Sequence, residues 1–181
     1  GLIASRLNIG GPLQKNKSSF FISGRRTYAD VFLKLFGDST LRGTRLYFYD
    51  MNMKANFILG DRDRLYLSGY FGRDVFSHKE LAEINWGNAT GTLRWNHVFN
   101  KKLFSNTSLI FSNYDYKINT NSEASRYNIL SRIRDWNLKE ELQYYANSAN
   151  TINFGVNSIY HTIKPGEISI GNNMPNIAKG L

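Results

Sequence analysis

Residues 46–59 read Leu46-Tyr47-Phe48-Tyr49-Asp50-Met51-Asn52-Met53-Lys54-Ala55-Asn56-Phe57-Ile58-Leu59. Tyr47, Tyr49, Met51, Met53, Ala55, Phe57 and Leu59 share one parity, and Asp50, Asn52, Lys54 and Asn56 share the other. A repeat of two belongs to an extended strand, whose side chains point alternately to opposite faces. Length then discriminates. Strands of soluble sandwiches run about 5–6 residues, whereas a tilted strand crossing a bilayer needs about 9–11, and here the apolar parity persists from Tyr47 to Leu59.

The same pattern returns farther along. Ala89, Gly91, Leu93 and Trp95 oppose Asn88, Thr90, Thr92, Arg94 and Asn96; Trp136, Leu138, Leu142 and Tyr144 oppose Asp135, Asn137, Lys139, Glu141 and Gln143; Ile152, Phe154, Val156 and Tyr160 oppose Asn153, Gly155, Asn157 and His161. Weaker alternation over 2–10, 18–26, 64–73 and 103–116 brings the expectation to eight strands, with the facing of Phe20 and Phe21 open. Tyr28, Val31, Phe32, Leu35 and Phe36 are spaced for one short helix. Short polar connections at 11–17, 60–63, 100–101 and 146–150 alternate with longer ones at 27–44, 74–85 and 117–127. That beat is the mark of an antiparallel up-and-down meander with tight turns at one end and loops at the other.

Aromatic placement points the same way. Tyr47, Tyr49 and Trp86 lie toward the longer connections and Phe57, Trp95 and Tyr144 toward the short turns, as two girdles at lipid–water boundaries require. The residues expected to face a lumen or a plug are Arg6, Asn8, Asp50, Asn52, Lys54, Asn56, Asn88, Thr90, Thr92, Arg94, Asn96, Asp135, Asn137 and Lys139. Glu140 dissents, because it shares the apolar parity of Leu138 and Leu142, and a carboxylate facing lipid is costly.

Composition excludes other chemistry. The 181 residues contain no cysteine, so disulfides, thiol catalysis and thiolate metal sites are out. Aromatics at 14% are too many for a disordered basic tail. Lys and Arg number 23 against 14 acids, a net charge of +9, but they are dispersed over turns and strands rather than gathered into a stripe, which argues against nucleic acid. His78, His97 and His161 sit in separate elements without metal-ligand spacing and read as isolated polar side chains. Catalytic motifs are lacking, and neither enzyme activity, a cofactor nor a bound metal is expected.

Particular segments resemble a known family. Gly11-Pro12-Leu13, Lys15-Asn16-Lys17-Ser18-Ser19-Phe20 and Ser23-Gly24-Arg25-Arg26-Thr27-Tyr28 resemble the first barrel hairpin of TonB-dependent outer-membrane receptors. In the same order, Tyr47-Phe48-Tyr49-Asp50-Met51-Asn52-Met53-Lys54, the run from Asp63 to Asp74, Trp86-Gly87-Asn88 and Leu93-Arg94-Trp95-Asn96 are similar to the early barrel of the subfamily that carries a carboxypeptidase-regulatory-like domain and a plug. The resemblance covers most of 10–116 and implies a receptor that imports a scarce nutrient, such as an iron chelate, a glycan or a peptide.

At roughly 20 residues per strand and connection, the chain supplies about eight strands of a larger all-β transmembrane barrel, so 1–181 is expected to be a partial outer-membrane barrel domain. Implied partners are outer-membrane lipid, the protein's own plug and TonB, with a surface lipoprotein as a further one. The implied location is the outer membrane of a Gram-negative bacterium. The segments 27–44, 74–85 and 117–127, with everything after Lys164, would form the external mouth. Two alternatives stand beside this: a self-contained eight-stranded outer-membrane barrel acting as anchor or adhesin, and a soluble ligand- or nucleic-acid-binding β-barrel.

Overall fold

The structure is a computed structural model that describes residues 3–36, 43–78, 82–120 and 127–170. Eight strands succeed one another: β1 (Ala4–Gln14), β2 (Ser18–Thr27), β3 (Thr44–Ile58), β4 (Asp63–His78), β5 (Ala82–Val98), β6 (Leu103–Thr120), β7 (Tyr127–Tyr145) and β8 (Thr151–Ile170). They form one sheet in sequence order, every neighbouring pair antiparallel. The sheet is open, with β1 at one edge and β8 at the other. One helix, α1 (Ala29–Phe36), comes after β2 and packs against β3.

Short turns are closed by side chains suited to them. Asn16 holds a left-handed φ of 59°, which asparagine tolerates better than most residues, between β1 and β2. Asn100 Oδ1 accepts from the Lys102 and Leu103 amides at 2.8 and 3.1 Å, and Asn147 Oδ1 accepts from those of Ala149 and Asn150 at 3.0 and 2.9 Å. These carboxamides stand in for backbone acceptors and hold the β5–β6 and β7–β8 hairpins at fixed length.

Strand ends depart from the sequence expectation. β1 continues to Gln14, so the expected 11–17 turn shrinks to the residues after it. Most of the 74–85 loop is strand, since β4 runs to His78 and β5 starts at Ala82. Likewise β6 reaches Thr120 and β8 continues past Lys164 to Ile170. The cause is physical: beyond the apolar band the backbone ladder carries on, but its apolar side chains change parity, with Leu46, Phe76, Ile84, Ile118, Ile129 and Ile168 forming one row on the opposite face. Of the segments expected at the mouth, 37–42, 79–81, 121–126 and 171–181 lie outside the described residues.

No hydrophobic side chain is buried among the described residues; the buried ones are Thr27, Asp30, Thr44, Ser105 and Ser108. A single sheet has no second layer to cover it. Leu138 is 54% exposed, Phe154 54% and Val156 71%.

Candidate functional site: two faces of one wall

Register decides which side chains share a face, because directly paired residues point the same way. One row runs Ala55, Leu67, Leu93, Leu109 and Leu138 across β3 to β7. The next runs Ile9, Ile22, Met53, Gly69, Gly91, Phe111, Trp136 and Tyr160 from β1 to β8. Phe20 joins the first of these through Ala55. Together they make a continuous apolar band on one face.

The longer-connection edge of the band varies from strand to strand. On β2 it begins at Ile22 and on β6 and β8 at Phe111 and Tyr160, all in the Met53 row, whereas Tyr47 on β3 and Leu130 on β7 share a row farther out. At the short-turn end it reaches Leu103, Tyr144 and Ile152 on β6, β7 and β8.

The opposite face gathers every residue that alternation assigned to a lumen. Arg6, Arg25, Asp50, Gly72 and Asn88 form one row, Asn8, Ser23, Asn52, Tyr70, Thr90, Ser112, Asp135 and His161 the next, and Lys54, Ser68, Thr92, Ile110 and Asn137 a third. Arg94 and Asn96 extend it on β5, Asn56 on β3 and Lys139 on β7. Phe21 also belongs here, opposite Lys54.

Charges on this face are locally matched: Arg25 Nη2 meets Asp50 Oδ2 at 2.7 Å and Lys139 Nζ meets Glu141 Oε1 at 2.7 Å. The Arg94 guanidinium lies 4.9 Å over the Tyr66 ring, beside a hollow of about 360 Å³ that Lys54, Asn56 and Thr92 also line. Oδ1 of Asn88, Asn96 and Asn137 is shielded from solvent without a hydrogen-bond partner. The face is not uniformly polar. Ile133, Ile159 and Ile163 are exposed on it, at 38%, 44% and 62%.

The girdle residues divide. Tyr47, Tyr49, Phe57, Trp95 and Tyr144 lie on the apolar face, with Tyr49 against Phe71 at 5.9 Å between ring centroids. Trp86 pairs with Asp74 and Tyr116 and so shares the face of Asn88, opposite to Trp95. Its parity already separated it from Trp95.

The histidines correct another expectation, since His97 and His161 have carboxylate neighbours. His97 Nδ1 lies 2.7 Å from Asp63 Oδ1, and His161 Nδ1 2.7 Å from Asp135 Oδ1. These partners are brought together across strands, which spacing along one strand does not reveal. Among the described residues no three of His, Asp or Glu gather to hold a metal ion.

Glu140 does lie on the apolar face, and its carboxylate accepts a hydrogen bond from Thr107 Oγ1 on the neighbouring strand. That neighbour partly offsets the charge. With this face against lipid, as the sequence leads one to expect, Glu140→Leu raises stability by about 1 kcal/mol, and Thr107→Val lowers it by about as much, because a hydrogen bond to a charged group is lost. Reversible urea unfolding from lipid vesicles measures both.

Comparison with protein-family models, with curated proteins and with solved structures finds no match to this chain.

Proposed function

We propose that the chain forms part of the wall of an outer-membrane β-barrel of the TonB-dependent receptor kind, its apolar band against lipid and its polar face against a lumen and plug. The function is that of the whole receptor, energised uptake of a scarce nutrient. One observation carries the wall: a single registered sheet of long strands in which no apolar side chain is buried among the described residues. A soluble domain of this length covers one sheet face with a second layer, and in water so broad an apolar band marks an interaction surface.

Two features support a barrel segment over a closed eight-stranded barrel and over an open aqueous pore. The sheet leaves β1 and β8 unpaired to one another, and edges of that kind need further strands in lipid. The exposed isoleucines of the polar face suit contact with folded protein better than contact with water. The assignment to the receptor family, and the plug and TonB with it, rests on the ordered sequence resemblance.

The 181 residues hold no cysteine, so an introduced thiol is the first among them, and any thiol elsewhere in the polypeptide is replaced beforehand. Single cysteines at positions 49 to 57 are spin-labelled in the protein as the cell makes it, in isolated envelopes. Relaxation by oxygen should peak at Tyr49, Met51, Met53, Ala55 and Phe57 and fall at the positions between them. Apolar positions closed to both oxygen and a water-soluble nickel chelate would mean a second layer of protein, and the wall reading would fail. A photocrosslinker at Asn52 or Arg94 then tests the plug: intramolecular crosslinks to another part of the polypeptide are expected, and their absence would remove it.

A further inference from the structure

Toward the longer-connection end the same face turns basic, one step inside the row of Tyr47 and Leu130. A single registered row runs Arg26, Tyr49, Arg73, Gly87, Asp115, Arg132 and Lys164 from β2 to β8. Arg134 stands one step nearer the band, opposite Asn113 and Thr162. Asp115 is the carboxylate within these rows, and Arg73 already occupies it through Nη2 at 3.0 Å. Glu83 and Glu167 lie farther out along the strands, paired with Ser77 and Leu130.

The other cations are not neutralised by carboxylates among the described residues. Arg26 is exposed and lies 5.9 and 5.6 Å over the rings of Tyr28 and Tyr47. Arg134 Nε reaches only a carboxamide, Asn113 Oδ1, at 3.5 Å. Arg132 Nε is shielded from solvent with no hydrogen-bond partner, and Lys164 is exposed beside it. Next to them on the same face stand Phe71, Ala89, Phe111, Trp136 and Tyr160.

A ligand matching both surfaces is apolar along one part and multiply anionic at its end. We propose that this strip binds the phosphorylated headgroup of an outer-leaflet lipid, with the phosphates at Arg132, Arg134 and Lys164 and the acyl chains along Phe111, Trp136 and Tyr160. Guanidinium forks suit phosphate oxygens, and a free phosphate has no use for the adjoining band. The inference rests on the wall reading above and adds the lipid that the wall selects.

The test uses the protein purified from envelopes in a neutral detergent, titrated with diphosphorylated lipid A and followed by native mass spectrometry. At about fivefold per cation, the triple variant Arg132→Gln, Arg134→Gln, Lys164→Gln should bind roughly a hundredfold more weakly, and Lys164→Gln alone about fivefold. Lipid A stripped of its phosphates should bind the unchanged protein no better than intact lipid A binds the triple variant. Equal affinity of the triple variant and the unchanged protein, or equal binding of the stripped lipid, overturns the proposal. Displacement by inorganic phosphate at the lipid's own affinity overturns the lipid source. Oxygen relaxation of a label at position 138 separates the two readings: lipid exposure there with no effect of the triple variant sinks the headgroup site alone, and water exposure there sinks the wall.

Discussion

Arginine at position 138 is expected to lower the stability of the bilayer-embedded protein by about 2–4 kcal/mol, the range for a cation on the lipid face near mid-membrane. Arginine at position 137, one residue away, is expected to change it by less than about 1 kcal/mol, as at an ordinary surface site. Leu138 closes the leucine row through Leu67, Leu93 and Leu109 and is half exposed. On the wall proposed above a guanidinium there has hydrocarbon around it, and its directly paired neighbours are Leu109 and Ser158, with Glu140 two residues along the same face. Asn137 points to the other face, between Ile110 and Ile159, and shares it with Asp135 and Glu141. In a water-soluble chain the order would invert or vanish, because arginine on an exposed strand face is cheap. Urea unfolding of both variants from vesicles, in parallel, reads the difference, and equal stability of the two would remove the lipid from this face.

Legibility from sequence tracked the apolar band. β3 was readable over most of its length because Tyr49 to Phe57 alternate without interruption, and Gly60 and Asp61 mark the turn beyond it. The strand extensions at His78, Ala82 and Thr120 were not, because there the apolar parity changes face, with Phe76, Ile84 and Ile118 paired on the side opposite the band. Polar parity correctly grouped Asn8, Asn52, Thr90 and Asp135, yet that they form one row depends on register, which turns and bulges set and which no single strand encodes. The same gap hid His161 beside Asp135 and Arg132 beside Lys164. Trp86 differs, since its even position put it with Asn88 from the start and only its nearness to a long connection suggested a girdle.

Valine at position 155 is expected to cost about 3 kcal/mol, the upper end for overpacking a tight site. Gly155 pairs with Glu141, and a Cβ there would run into the Glu140 carbonyl oxygen, with the Glu141 Cα and the Glu140 carbonyl carbon at 3.1 and 3.2 Å. All three are backbone atoms, so no side-chain rotation relieves the contact and β7 and β8 must part. Among the described residues β8 is held by β7 alone. The damage should therefore appear as faster amide exchange over 151–164, with exchange over 103–120 unchanged. Gly91→Ala supplies the control: nothing lies within 4 Å of a Cβ at that site, so neither stability nor exchange should move. Full tolerance of valine at 155 would mean that β8 is shifted against β7. A shift of one residue turns Phe154, Val156 and Tyr160 to the polar face and breaks the apolar band at its last strand.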